Sequence, residues 1–386
     1  MSLPNSAVER GREALIALRI DDAIRAFEEA LEHDPGAIAA HLGLYEALQV
    51  KGERSRAVEH QRAALERQQL YLEKAAAPGV PVMLVVAVPG DWQANVPLEY
   101  AYSSLTLGIY KFFAIGNLPQ PKQLPPRDVV FNAVAHSDAA EATLGELEGW
   151  LPRFGVPVLN DPSRVVRLSR DRVAREYADL SGAFFPPTRR VRRDELAREL
   201  LPNAVTLRPI DSQAGSGFAR IERPDELAAY LAESRAEEYF VAQFVDYRSS
   251  DGFFRKYRII FVDGTPYPHH LAISDRWMVH YYNARNDEHA WMRDEEARFL
   301  AEIETVFDGP RAAALGEIAR RVGLDYFGID CGVLPDGRVI VFEIDVAMIV
   351  HLGDPIEKYP YKHEYVPRIF RALERMVRAR VGAIKA

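Results

Sequence analysis

One short segment, "GIDCGVLPDGRVIVFEID" at 328–345, holds four carboxylates, and three of them, Asp330, Glu343 and Asp345, stand in its apolar runs. Two apolar runs flank Pro-Asp-Gly, the pattern of a β-hairpin. Side chains alternate along a strand, so Glu343 and Asp345 share a face. With a four-residue loop at 335–338, Leu334 pairs with Val339, and Asp330 falls opposite Glu343, roughly 5 Å away between Cβ atoms. The other face is then wholly apolar: Ile329, Cys331 and Val333 against Ile344, Phe342 and Ile340. A slip by one residue mixes the faces and is disfavoured. Ionised carboxylates crowded on one face are costly unless a cation sits between them. Hard oxygen donors of this kind suit Mg²⁺, which takes one or two carboxylates plus substrate phosphates. An edge hairpin whose acids merely face water is the competing reading.

Further groups with chemical capacity lie upstream. "RPIDSQAGSGFARI" at 208–221 places Ser212, Gly215, Ser216 and Gly217 between two strands. Such a loop can offer backbone N–H groups to phosphate oxygens. It lacks the Gly-Lys-Ser/Thr of a P-loop and does not open a helix as a dinucleotide fingerprint does. "FRKYRIIFVDG" sets Lys256 and Arg258 two residues apart, on one strand face. Arginine's planar fork suits bidentate contact with phosphate or carboxylate. His269, His270 and His280 hint at zinc and a hydrolase, but no companion cysteine or regular ligand spacing supports it.

Elements able to hold these residues recur along the chain. "VMLVVAV", "DVVFNAV" and "VPVLND" read as strands alternating with helical stretches, a small parallel α/β domain over 80–163. From 164 to 386 the pattern mixes helices with strands, including a long pair joined by "VDGT", a strong hairpin turn; a central segment spans about 180–250. The first seventy residues are helical in pattern and carry a repeat. Gly11, Ala23, Phe27, Ala30 and Pro35 fall on the small, aromatic and proline positions of a tetratricopeptide unit, and a shift of 34 turns Ala23 into Ala57 and Ala30 into Ala64. The second copy departs, with Tyr45 for the glycine and Gln61 for the aromatic. Two units are fewer than the three such an array needs. Residues 1–74 are therefore expected to lean on the next domain or on a second copy in a homodimer, and they offer a surface to a protein or peptide partner. An ordinary helical bundle is the plainer reading.

The chain has 386 residues, 48% of them hydrophobic, and a formal net charge of −8. That length accommodates two or three domains, and the acidic balance disfavours nucleic-acid binding by a basic surface. A single cysteine, Cys331, excludes an intrachain disulfide framework and fits a cytoplasmic location. In the apolar face of the hairpin it reads as a small buried hydrophobe. The first residues lack an apolar signal core. The longest apolar run, "VPVMLVVAV" at 80–88, is strand-sized, so no membrane span is expected.

Taken together, the glycine loop, the cationic strand and a late hairpin with an acid, a second acid thirteen residues on and a third two further resemble the ATP-grasp superfamily of carboxylate–amine ligases. "PVLNDPSRVVRLSRDRVARE" also looks like the approach to that fold's first ATP-binding lobe. The resemblance covers roughly 80–370. It implies a mixed α+β / α/β architecture: the two α+β lobes of an ATP-grasp fold, preceded by the small parallel α/β domain and the tetratricopeptide-like helices. It implies ATP and Mg²⁺ (or Mn²⁺), small-molecule or peptide carboxylate and amine substrates, and amide formation through an acyl phosphate with release of ADP. By position, Asp330 and Glu343 match two metal-binding acids, and Asp345 stands where the family usually has asparagine. Arg208 matches a strand lysine that touches ATP phosphates, Arg172 falls near an earlier lysine of that kind, and 212–217 matches the phosphate-covering loop. Gln243, Phe244 and Val245 match the hinge that grips adenine, with Asp246 a candidate for the ribose hydroxyls. Arg258 matches an arginine on the γ-phosphate and the acyl phosphate, with Lys256 beside it. His270 or His280 would line the acceptor pocket. Lysine and arginine are not interchangeable at a tight phosphate site, and Asp345 adds a charge. A weak or retired enzyme serving as an interaction module is the alternative.

Overall fold

The computed structural model describes residues 3–17, 19–115, 124–199, 201–210, 212, 215–279 and 284–385. Four helices open the chain: α1 (Leu3–Ile16), α2 (Ile20–His33), α3 (Ile38–Lys51) and α4 (Arg54–Leu65). Each packs on the next, around a core of their own built on Ala23, Phe27, Ala30, Leu44 and Ala57. The Phe27 ring fills the space between Gly11 and Gly43, where any Cβ would overlap it. The two positions that break the repeat do a different job. Tyr45 donates from its hydroxyl to the Gly90 carbonyl at 3.0 Å, and Gln61 accepts from the Gly90 N–H at 2.8 Å. The helices thus lean on the following layer.

Helix ends at Leu65, short of the seventy residues that the pattern suggests. Residues 70–74 form β1 (Leu70–Lys74), because alternating Leu70, Tyr71 and Leu72 extend along a sheet edge that the helical pattern before them does not reveal. With β2 (Val82–Ala87), β3 (Gly108–Phe113), β4 (Val129–Asn132) and β5 (Val158–Leu159) it makes a sheet in the order β1-β3-β2-β4-β5. All pairings but that of β1 are parallel, and β2 and β4 are buried almost throughout, as strands covered on both faces are. A buried asparagine, Asn160, leaves this sheet in a left-handed conformation (φ 56°). Its amide donates to the Tyr326 carbonyl and accepts from the Tyr326 N–H, each at 2.8 Å. It therefore fixes the start of the strand that carries Asp330.

Two more sheets come after β6 (Ala183–Phe184). The second contains β7 (Thr188–Arg192), β8 (Val205–Pro209), β9 (Ala219–Ile221) and β10 (Glu238–Gln243), all antiparallel, in the order β7-β10-β8-β9. It has its own small core around Leu207, Leu227 and Tyr239. The third contains β11 (Phe254–Val262), β12 (Thr265–Ser274), β13 (Tyr326–Val333) and β14 (Val339–Asp345), in the order β12-β11-β13-β14-β6. It shares one continuous core with the first sheet and the last helix, Pro367–Lys385. The "VDGT" turn joins β11 to β12 with Asp263 and Gly264 both at positive φ, as expected. Among the described residues no helix is long and apolar enough to cross a membrane.

The acid hairpin differs from expectation in one register detail. Val333, not Leu334, pairs with Val339, so the loop has one residue more. A β-bulge at Phe342 absorbs the slip: Cys331 faces Val341, while Asp330 still faces Glu343. A bulge adds one residue to one strand and re-aims the side chains beyond it. Here it keeps the two acids opposite one another despite the longer loop.

Candidate active site

The second and third sheets, the first sheet's loops and helices α3 and α4 all contribute to one cleft of about 1190 Å³. At its centre lies Asp330, buried on β13. The Arg258 guanidinium, its cross-strand partner on β11, donates to the two carboxylate oxygens at 2.7 and 3.0 Å, and Lys256 Nζ adds a third contact at 2.9 Å. Burial alone would raise the Asp330 pKa, but Arg258 and then Lys256 outweigh it and hold the carboxyl well below its usual range. Lys256 and Arg258 share a strand face as the two-residue spacing predicts.

Glu343 carries a different partner. Arg170, at the start of the helix Arg170–Glu176, donates to its carboxylate and to the Phe342 carbonyl, which the bulge withdraws from the ladder. Burial raises the Glu343 pKa, yet Arg170 and Arg208 bring it below the ordinary value. Asp345 has no cation hydrogen-bonded to it among the described residues: burial and then Glu343 push its pKa up to about 6, against the opposing pull of the Ala347 N–H, at 2.9 Å, and of the Arg170 and Arg258 charges. One oxygen each of Glu343 and Asp345 remains without a hydrogen bond among the described residues. Those two acids fit a divalent cation; Asp330, with both oxygens taken by cations, fits one less well. Ligand atoms of the three acids do not gather within 4.8 Å of one another; among the described residues only His136, Asp138 and Glu141 do so. Those two acids already face Arg190 and Arg172.

Arg172 is not in the cleft wall. It donates to the Val166 carbonyl at 3.0 Å and pairs with Glu141. Two positions along a helix turn a side chain by about 200°, so Arg170 occupies the place expected of Arg172. Arg208 does line the cleft, and its guanidinium holds the Ser212 carbonyl and hydroxyl, both at 3.1 Å from Nε. Burial, then Arg170, draws its pKa down to about 10. The glycine loop lies between β8 and β9 as read. Ser212 and Gly215 border the main cleft, while Ser216 and Gly217 border an adjoining cavity of about 540 Å³.

At the other end the wall is apolar and aromatic. Gln243, Phe244 and Val245 line it beside Phe185, Tyr247, Trp277 and Phe342. Phe244 meets Trp277 edge-on, and Arg220 covers the Phe244 ring at 3.8 Å. Asp246 is the next residue, and Arg248 holds both its oxygens, with Nε at 3.0 Å from each. Beyond Arg258 the cleft reaches His269 and His270. Arg258 pairs with His270 and Ile259 with Pro268, so a second bulge leaves His269 as the extra residue. His269 is 5% exposed, and neither ring nitrogen has a hydrogen-bond partner among the described residues. Burial, with Arg258 nearby, pushes both imidazoles well below the ordinary histidine pKa, so both are neutral at neutral pH. Among the described residues neither joins a group with metal-ligand spacing. His280 lies outside the described residues.

No protein-family model matches the chain, and no curated protein matches it in sequence. Solved structures do match in shape. The chain is similar to D-alanyl-alanine synthetase A from Vibrio cholerae, at 12% identity and a TM-score of 0.51, over 80% of this chain and 99% of that one. It is also similar to an ATP-complexed D-alanine–D-alanine ligase from Bacillus anthracis (13% identity, TM-score 0.48, 78% and 98% covered) and to a RimK domain ATP-grasp protein from Sphaerobacter thermophilus (15%, 0.45, 77% and 99%). The mixed α/β chain therefore has the ATP-grasp fold, behind an N-terminal helical segment.

Proposed function

We propose that the protein is an ATP-dependent, ADP-forming carboxylate–amine ligase acting through an acyl phosphate. The observation that carries this reading is the cleft itself: an aromatic end at Phe244, a glycine loop, and a centre where Lys256, Arg258, Arg170 and Arg208 surround the carboxylates of Asp330, Glu343 and Asp345. Adenine would lie against Gln243, Phe244 and Val245, with the phosphates under Ser212 and Gly215 and against Arg208. The γ-phosphoryl group would move to an oxygen of the substrate carboxylate as ADP leaves. Arg258, kept in place by Asp330, would hold the charge that develops on the transferring group, and Lys256 would assist. An amine would then attack the acyl carbon, the C–O bond to phosphate would break, and the departing phosphate would take the amine's proton. Positioning and electrostatics carry such a reaction, with little covalent work for the protein. Glu343 and Asp345 would hold Mg²⁺ or Mn²⁺, which offsets phosphate charge when bound. His270 would border the acceptor end, where amino-acid or peptide substrates meet the acyl phosphate.

The engagement of Asp330 by two cations, and the absence of Arg172 from the wall, favour a second reading: a catalytically weak or inactive protein of this fold, with the tetratricopeptide-like helices recruiting a protein or peptide. Two measurements separate these. Mg-ATP at a hundred times its dissociation constant should stabilise the fold by about 2.7 kcal/mol; no melting shift at millimolar Mg-ATP would defeat the ligase reading. ADP release screened against paired amino acids and short peptides should then find a productive combination. Binding with no turnover across such a panel would favour the second.

A further inference from the structure

Six cationic side chains line the cleft: Arg54, Arg170, Arg208, Lys256, Arg258 and Lys362. Five are hydrogen-bonded inside the protein. Arg170 is on Glu343, Arg208 on Ser212, Lys256 and Arg258 on Asp330, and Lys362 on Asp354. Among the described residues Arg54 alone of the six donates no hydrogen bond. It meets the Asp91 carboxylate at 3.8 Å, beyond hydrogen-bond reach, and its side chain is 52% exposed.

Its position is as particular as its lack of a hydrogen bond. Arg54 begins α4, in the helical segment that precedes all three sheets, yet it borders both the main cleft and the adjoining cavity. Ser212 also borders both, and Ser216 and Gly217 border the second. The guanidinium therefore stands across from the described part of the glycine loop. Tyr45 and Gln61, bonded to Gly90, hold the helices there, and Asp91 is the next residue.

We propose that Arg54 is a further nucleotide-binding residue, reaching from the N-terminal helices to the terminal phosphate of ATP. This rests on the ligase reading of the same cleft. A triphosphate brings more negative charge than one divalent cation offsets, and Arg54 is the one cleft cation that donates no hydrogen bond within the protein among the described residues. Arginine presents five N–H donors in a fork that matches phosphate oxygens. Arg172, expected to supply a phosphate contact, sits on Glu141 outside the wall. Arg54 supplies a cation from a different part of the chain. The helices are then part of the nucleotide site rather than a detachable arm.

Isothermal titration of the full chain with Mg-AMP-PNP, Mg-ADP and adenosine tests this. Arg54→Ala should weaken Mg-AMP-PNP about tenfold, the loss of one charge-assisted contact. It should weaken Mg-ADP less and leave adenosine unchanged. Arg54→Lys should recover part of the loss. Asp91→Asn, which removes the competing carboxylate, should not weaken Mg-AMP-PNP. If Arg54→Ala binds Mg-AMP-PNP within about twofold of the parent, the inference fails and the ligase reading stands. Equal weakening of all three ligands, adenosine included, also overturns it, because that marks a general distortion. A parent chain that binds none of the three defeats the ligase reading itself, and the inference with it.

Discussion

Arg258 and Asp330 face each other across β11 and β13, and the Arg258 Nε meets the Asp330 Oδ1 at 2.7 Å. A buried acid with two cations on it is held in one rotamer, and it holds them in turn. On the proposed ligase reading, the arrangement would place the guanidinium for a transferring phosphoryl group before any ligand arrives. Preorganisation of this kind is the largest source of electrostatic catalysis, because no reorganisation is needed at the moment of reaction.

The first prediction concerns that pair. Asp330→Asn leaves Lys256 and Arg258 close together in the protein interior with no negative partner. Breaking a buried pair by removing one member costs about 3–5 kcal/mol. Urea denaturation should show that loss, and nucleotide turnover should fall with it. A variant within about 0.5 kcal/mol of the parent, the range of surface substitutions, would mean that Asp330 is a solvated surface acid.

A second prediction separates two neighbouring arginines. Arg170 contacts Glu343 and borders the cleft, whereas Arg172 contacts Glu141 outside it. Arg170→Ala should lower turnover on the order of 10²-fold, as the loss of one preorganised donor does. Arg172→Ala should leave turnover near that of the parent. Reversed effects would restore Arg172 to the phosphate-binding role its motif suggests.

Asp345 gives a third, through pH. Its folded pKa is raised to about 6, against about 3.9 for an unfolded aspartate. Between those values the native state binds more protons than the unfolded state, so this group's contribution to stability falls as pH rises from 4 to 6. It stays unfavourable above that. Asp345→Asn removes the term. In metal-free buffer the variant's advantage over the parent should therefore grow from pH 4 to pH 6 and then level off, read from urea midpoints. An advantage that does not change with pH would show that Asp345 is not perturbed.

Much of this site can be read from residue order, for reasons the structure makes plain. Alternation with period two places Asp330 opposite Glu343, and it places Lys256 and Arg258 together, because both are local consequences of extended backbone. What alternation cannot reveal is the bulge at Phe342, since the pattern on either side of an inserted residue looks regular. The same holds for His269, brought to the cleft by a bulge opposite Arg258. The motif points to Arg172 rather than Arg170 because it marks only a neighbourhood, while a two-residue step on a helix reverses direction. Strand β3, "GIYKFF", carries too short an apolar run to stand out beside the Pro- and Asn-rich loop before it. Arg54 cannot be found at all without the fold, because it reaches the cleft from the far end of the chain.

The final prediction concerns the helices that carry Arg54. Phe27 is fully buried, and a Cβ built on Gly43 would lie 2.3 Å from its ring. Helix propensity alone says that Gly43→Ala stabilises α3 by about 1 kcal/mol. Overpacking says the opposite, a cost of about 1–3 kcal/mol, because the ring is confined on its other side by Gly11 and cannot swing away. The second effect is the larger, so Gly43→Ala should destabilise the helical segment. Phe27→Ala removes the ring and should cost about 3–5 kcal/mol by itself. In the Phe27→Ala background the clash is gone and only propensity remains, so adding Gly43→Ala should now stabilise. A double-mutant cycle read by amide hydrogen exchange in α1–α4 would show this change of sign. Stabilisation by Gly43→Ala in the parent chain would mean that the Phe27 ring has room the structure does not give it.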